Sequence, residues 1–184
     1  MSKPLVLIIV IIASSFIGLT QQGPSEKIER EIKDVITEAK RLKAQGKNKE
    51  ALPLFKKGLE LQEKKLGEFH DNTPLLLSFL ADQYDHMELH AKAEPLRIKS
   101  ILISRRNFGA EHWITVHGLN TLANHYEKTK KYQNAEKLYL LGLKLNTKAR
   151  GGIHEDTAQS ASYLGFLYEQ MADFKNAEKY LLIS

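Results

Sequence analysis

The sequence predicts an all-α protein made of stacked copies of one helix-turn-helix unit. The first observation is an interval of 42 residues that relates Ala51, Ala93, Ala135 and Ala177, and also Gly67, Gly109 and Gly151. His70, His112 and His154 keep the same interval, as do Thr73, Thr115 and Thr157, and Tyr84, Tyr126 and Tyr168. Leu80-Ala81, Leu122-Ala123 and Leu164-Gly165 repeat in step with them, without an insertion. Self-similarity at such a period marks stacked repeat architectures. The second observation is local: Leu77, Leu80, Ala81 and Tyr84 fall at i, i+3, i+4 and i+7, one apolar stripe of a helix, and Leu119, Leu122, Ala123 and Tyr126 repeat it. The third is punctuation. Thr73-Pro74 predicts a hydroxyl N-cap followed by proline at the first helical position, and Asp156-Thr157 holds the same place in the last unit.

Taken in order, residues 1–20 come first as an address. Leu5 to Leu19 is a run of fifteen residues without a charge behind Lys3, the pattern of a secretory signal and short for a permanent membrane span. Small residues suit cleavage before Gln21 or before Phe16. Export is expected, with a membrane tether through residues 5–19 as the alternative. Residues 21–25 read as a polar linker. Residues 26–184 form the repeat domain, with units at about 31–72, 73–114, 115–156 and an incomplete 157–184. In each unit a polar turn, such as Lys130-Lys131, leads to a second helix whose stripe includes Ala135, Leu138, Tyr139 and Leu143. Pro53 and Pro95 are expected near the start of these second helices, where a missing N–H is best tolerated. A lone helical hairpin cannot bury its apolar face, so neighbouring units must share one core. The sequence ends inside the fourth unit's second helix on the apolar stretch Tyr180 to Ile183, an expected surface for self-association.

Composition excludes several kinds of chemistry. There is no cysteine, which removes disulfides, thiolate metal sites and thiol nucleophiles. The formal charge of +5 comes from interspersed signs. Lys33, Lys40, Arg41, Lys43, Lys47 and Lys49 alternate with Glu26, Glu29, Glu31, Asp34, Glu38 and Glu50. That is the look of paired solvent faces, and no nucleic-acid partner is expected. No metal or cofactor is expected either. His70, His112 and His154 lie one unit apart, too far to share an ion, and read as histidines that hydrogen-bond their own turns. His86 and His90 are separated by a predicted turn, with no third ligand evident, while His117 and His125 read as groove lining. Ser100, Ser104, Ser160 and Ser162 lie inside predicted helices without the context of a nucleophile, so no catalytic residue is expected.

Leu119, Leu122-Ala123, Tyr126, Ala135-Glu136, Leu138-Tyr139, Gly151, His154 and Thr157 together resemble the tetratricopeptide repeat, in the long-period form of kinesin light chains and their bacterial relatives. The resemblance covers residues 26 to 184. Leu52 stands where the pattern has glutamate, Arg97 where it has an aromatic, and Gly165 where it has alanine. The resemblance implies a right-handed superhelical solenoid whose first helices line a concave groove that binds a peptide or protein segment, without catalysis. Placing the core stripe inward puts Phe79, Asp82 and His86 on the opposite face at 100° per residue. Stepping by 42 adds His117, Thr121, Asn124 and Lys128, then Tyr163, Phe166 and Gln170, and backwards Lys33, Thr37 and Lys40. These are the expected groove residues, with the aromatic ones as anchors. A stand-alone scaffold is the expected function. The alternatives are a repeat module of a larger enzyme or signalling protein, and a self-associating repeat.

Overall fold

The structure, a computed structural model, describes residues 24–183, and every regular element among them is an α-helix. The expected signal or tether in residues 1–20 lies outside the described residues. The helices are α1 (Pro24–Ala44), α2 (Asn48–Leu66), α3 (Thr73–His86), α4 (His90–Phe108), α5 (Trp113–Lys128), α6 (Tyr132–Arg150), α7 (Glu155–Gln170) and α8 (Phe174–Leu181). Successive helices pack as antiparallel hairpins, and each hairpin packs on the next to give a helical solenoid. α2, α4 and α6 each have 19 residues, whereas α8 has 8.

The repeated columns now have physical roles. Ala39, Ala81 and Ala123 on the first helices meet Ala51, Ala93 and Ala135 on the second helices, all fully buried. In an interior packed without voids, so small a side chain lets neighbouring helices come close together. Gly165 replaces alanine because a Cβ there would lie 2.6 Å from the Leu181 side chain. The Tyr and Glu columns form one joint between units. The Tyr126 hydroxyl donates to Glu94 at 2.8 Å, and the Tyr168 hydroxyl donates to Glu136 at 2.5 Å. Burial and the adjacent Glu94 push the Tyr126 phenol up to about 12. Leu52 leaves Tyr84 without such a partner, and the Lys56 and Lys92 ammonium groups lie 5.6 and 5.8 Å from its ring centre instead.

The loop between units is built from Gly, His and Thr. Gly109 and Gly151 take φ 91° and ψ 169°, a conformation open to glycine and strained for other residues, and this ends the second helix. His112 and His154 then cap α5 and α7, their Nδ1 atoms accepting from the Ile114 and Asp156 amides at 3.3 and 3.1 Å. His70 accepts from the Asn72 amide in the same way. The turn-bonding role expected for these histidines is therefore what they perform. The cap expected of Thr73 and its equivalents is a correction: the helices begin at or before these threonines. Thr115 and Thr157 are buried and donate back to the Gly109 and Gly151 carbonyls, each at 2.8 Å. A second correction concerns Pro53 and Pro95, which sit in the second turn of α2 and α4 rather than the first. Both are exposed, so the lost amide bond faces water.

Buried apolar residues gather in two clusters. One joins α1 to α4 through Ile36, Phe55, Leu80 and Tyr84, and the other joins α5 to α8 through Tyr139, Leu164, Leu167 and Tyr168. Between them lies a buried polar network of Asp85, Arg97 and His125.

Candidate functional site

The face predicted from the 42-residue register is accessible throughout. Lys33, Thr37 and Lys40 on α1, His86 on α3, His117, Asn124 and Lys128 on α5, and Phe166 and Gln170 on α7 are exposed. Phe79, Asp82, Thr121 and Tyr163 are half-buried. None of the thirteen is buried, because a helix that packs along one stripe must leave the opposite stripe to solvent, although Phe79 and Tyr163 pack against the edges of the core.

The structure gathers these positions into two hollows and leaves some outside both. Lys33, Lys40 and Phe79 come together with Arg30, Leu75 and Asn72 in a cleft of about 740 Å³ between α1 and α3. The Lys40 ammonium lies 4.2 Å from the Phe79 ring centre, a cation–π contact, and Phe79 packs on Phe55 with ring centres 5.9 Å apart. Asp82, His117, Thr121, Asn124 and Tyr163 share a second hollow of about 150 Å³. Thr37, His86, Lys128, Phe166 and Gln170 line neither. Thr37 donates to its own helix at Lys33, and Gln170 donates to Glu127. Of the three expected aromatic anchors, only Phe166, 54% exposed, projects freely. Tyr163 stacks on Tyr139 at 5.4 Å, so its ring is part of the joint between α6 and α7.

The register reading missed Arg97, Asn120 and Tyr139, which complete the second hollow. Arg97 and Tyr139 are buried second-helix residues in the column that begins with Phe55, and Asn120 is a half-buried residue of α5. The signal that could have found Arg97 was the departure itself, a cation in an aromatic column. Only 3% exposed, Arg97 reaches Asp82 at 2.7 Å and Asp85 at 2.8 Å through Nη2, with Nε 3.3 Å from Asp85. Its Nη1 and the Asn120 Oδ1 are buried without a hydrogen-bond partner. Asp85 is buried beside Arg97. Burial works to raise its carboxyl, but hydrogen bonds from His90 and Arg97 hold it below the usual carboxylate range. Partial burial lowers the His117 imidazole, with Asp82 opposing and Arg97 adding to the effect.

His125 corrects the sequence reading. It is 1% exposed and faces the joint with α4, where its Nδ1 lies 2.8 Å from Asp85 Oδ1. Eight residues after His117, it is rotated about 80° from that residue's face. His90 Nδ1 approaches the same Asp85 oxygen at 2.9 Å, so a group of three is present where the sequence offered only His86 and His90. His86 takes no part in it. The serine hydroxyls are committed: Ser100 donates to the Pro74 carbonyl, Ser104 to Ile101, Ser160 to Asp156 and Ser162 to Ala158.

Residues 39–72 and residues 114–182 each match a family profile described as tetratricopeptide repeat. The chain is a tetratricopeptide repeat protein. The tetratricopeptide fold recurs in BtubC (BKLC) from P. vanneervenii, with a TM-score of 0.73 at 18% identity over 88% of this chain and 63% of that one. It recurs at the same TM-score in a putative kinesin light chain with nearly identical TPR-like repeats from Podosopora anserina, at 20% identity over 92% of this chain and 79% of that one. A variant of the latter matches at 0.73 and 20% identity, over 95% and 80%. This tetratricopeptide chain thus spans less than two thirds of the length of BtubC. No curated protein matches it in sequence. Tetratricopeptide repeats are generally protein-interaction modules, and the fold is typically non-catalytic.

Proposed function

We propose that this chain is a scaffold that holds a peptide or protein segment of a partner along the exposed face of α1, α3, α5 and α7. The observation that carries this reading is the open, register-matched face, which ends in a hollow where a buried guanidinium Nη1 and a buried amide oxygen have no partner. Buried polar groups in folded proteins are nearly always paired, and unpaired ones on residues that line a hollow suit a ligand that brings both an acceptor and a donor. An extended peptide segment has both in its backbone.

A displayed library of random peptides panned against the chain tests the reading. Enriched peptides should compete with one another and lose at least about tenfold in affinity to Asn124→Ala combined with Phe166→Ala, two exposed positions whose truncation leaves the core intact. Undiminished binding to that variant overturns it. Phe79 and Tyr163 are poorer probes, because both rings also pack within the fold.

The apolar run Leu5 to Leu19 supports an exported or tethered protein, and no described helix is long and apolar enough to cross a membrane. A mature chain beginning at Gln21 or Phe16 would support cleavage. Self-association is favoured by one observation: Leu182 and Ile183 are exposed after the last turn of α8, although Tyr180 stacks on Tyr168 at 5.6 Å. Light scattering decides it, and a strict monomer at high concentration sinks the idea.

A further inference from the structure

We propose that Asp85, His90 and His125 form a binding site for one divalent transition-metal ion of the zinc class. Asp85 comes from the end of α3, His90 is the first residue of α4, and His125 reaches in from α5 of the next unit. One ligand atom from each lies within 4.8 Å of the others, with His90 Nδ1 and His125 Nδ1 at 2.9 and 2.8 Å from Asp85 Oδ1. A tetrahedral ion with bonds of about 2.0–2.1 Å spreads its ligand atoms to about 3.3 Å, so each histidine needs to draw back from Asp85 by only a few tenths of an ångström, while the two imidazole nitrogens already lie within 4.8 Å of each other. Two imidazoles and a carboxylate select zinc, copper or nickel over magnesium or calcium.

The surroundings suit the ion in two ways. On the far edge of the His125 ring, Nε2 lies 3.9 Å from Glu94 Oε2, and Glu94 is itself held by Tyr126 and Lys131. Arg97 holds the other oxygen of Asp85. Arg97 thereby orients the Asp85 ligand, as outer partners of metal ligands do, and Glu94 supplies a negative charge near the far side of the His125 ring. His90, 36% exposed on its side chain, gives a route from solvent and leaves a fourth position for water. The Asp85, Asp82 and Glu94 carboxylates are matched by Arg97, Lys43 and Lys131, so the ion enters a network whose charges are already balanced and must compete with Arg97 for Asp85. On binding, the ion takes the place of the protons that join the two imidazoles to Asp85.

Other joints lack the constellation. At the position of Asp85 the other units carry Lys43, Glu127 and Glu169, and at that of His90 they carry Asn48, Tyr132 and Phe174. His125 corresponds to Arg41, Gln83 and Leu167. Stacking therefore does not require these residues.

The test is calorimetric titration of zinc chloride into the whole chain, with cobalt(II) absorption reporting tetrahedral geometry. One equivalent should bind with a dissociation constant of about 1 μM or tighter. His90→Gln, at the partly exposed ligand, should weaken this about 100-fold, while Glu94→Gln should weaken it about 10-fold. His125→Gln should match His90→Gln if its helical circular dichroism is retained. His86→Gln and His117→Gln should leave binding unchanged. No stoichiometric binding by the wild-type chain, or equal binding by a folded His90→Gln, overturns the site.

Discussion

The joint between α4 and α5 and the joint between α6 and α7 occupy equivalent places in the repeat yet are built from opposite chemistry. The first is ionic: Arg97, Asp85 and His125 are buried together, with His90 at the edge. In the second, Tyr139 stacks on Tyr163 and Leu167 stands where the first has His125. Both keep the same alanine column and the same tyrosine–glutamate bond. Helix separation is thus set by the small residues and the unit length, and the filling between helices is free to vary. The two fillings differ in risk. An apolar joint loses stability in proportion to what is removed, whereas a charged joint that loses one member leaves the rest buried and unpaired.

The largest expected effect follows from that asymmetry. Asp85→Ala leaves buried Arg97 with Asp82 alone and takes the shared carboxylate from both histidines, and should cost about 3–5 kcal/mol in urea denaturation. Leu167→Ala, at the fully buried counterpart of His125, should cost about 2–5 kcal/mol through its cavity. An Asp85→Ala loss below that of Leu167→Ala would break the contrast between the joints.

Acidity separates them further. The Asp85 carboxyl is held below its ordinary value in the folded chain, so its contribution is complete above the unfolded aspartate pKa of about 4 and fades as pH falls through the lower folded value. The stability gap between wild type and Asp85→Ala should shrink between about pH 4 and pH 2. The gap for Leu167→Ala should stay constant. Chemical denaturation across that range measures both.

The loop gives a smaller effect that both joints should share. Gly109→Ala and Gly151→Ala place a side chain at φ 91° and should each cost about 1–3 kcal/mol. The same substitution at both positions, read by thermal denaturation, sharpens the comparison if the costs agree. The smallest effect lies at the hairpin turns, where Lys130 and Ala172 hold φ near 59° and 57° at the place filled by Gly46 in the first unit. Ala172→Gly relieves that strain but frees the unfolded chain, so a net gain of about 0.5 kcal/mol is expected.

Much of the fold was legible in residues because its determinants are local. The 42-residue interval, the alanine and tyrosine columns, and the loop Gly-His-Thr set each helix and its end without reference to distant parts. The open face was legible for the same reason: a helix that buries one stripe exposes the other. Five of its predicted positions share a hollow, although Tyr163 and Phe79 lean into the fold more than a single-helix projection allows. A projection of one helix knows nothing of the helix packed beside it.

What the sequence by itself determined is therefore the unit, its length, its helices and the face each first helix turns to solvent. Only the tertiary structure decided that Asp85, His90, Arg97 and His125 meet. They lie 5, 12 and 40 residues from Asp85 along the chain. Their meeting depends on one hairpin docking onto the next, and no local periodicity encodes that contact. The same docking turned Arg97 from a departure in the repeat into the centre of a buried charge network. It also moved His125 from the expected groove into the joint, because stacking buries whichever side chain faces the neighbouring unit.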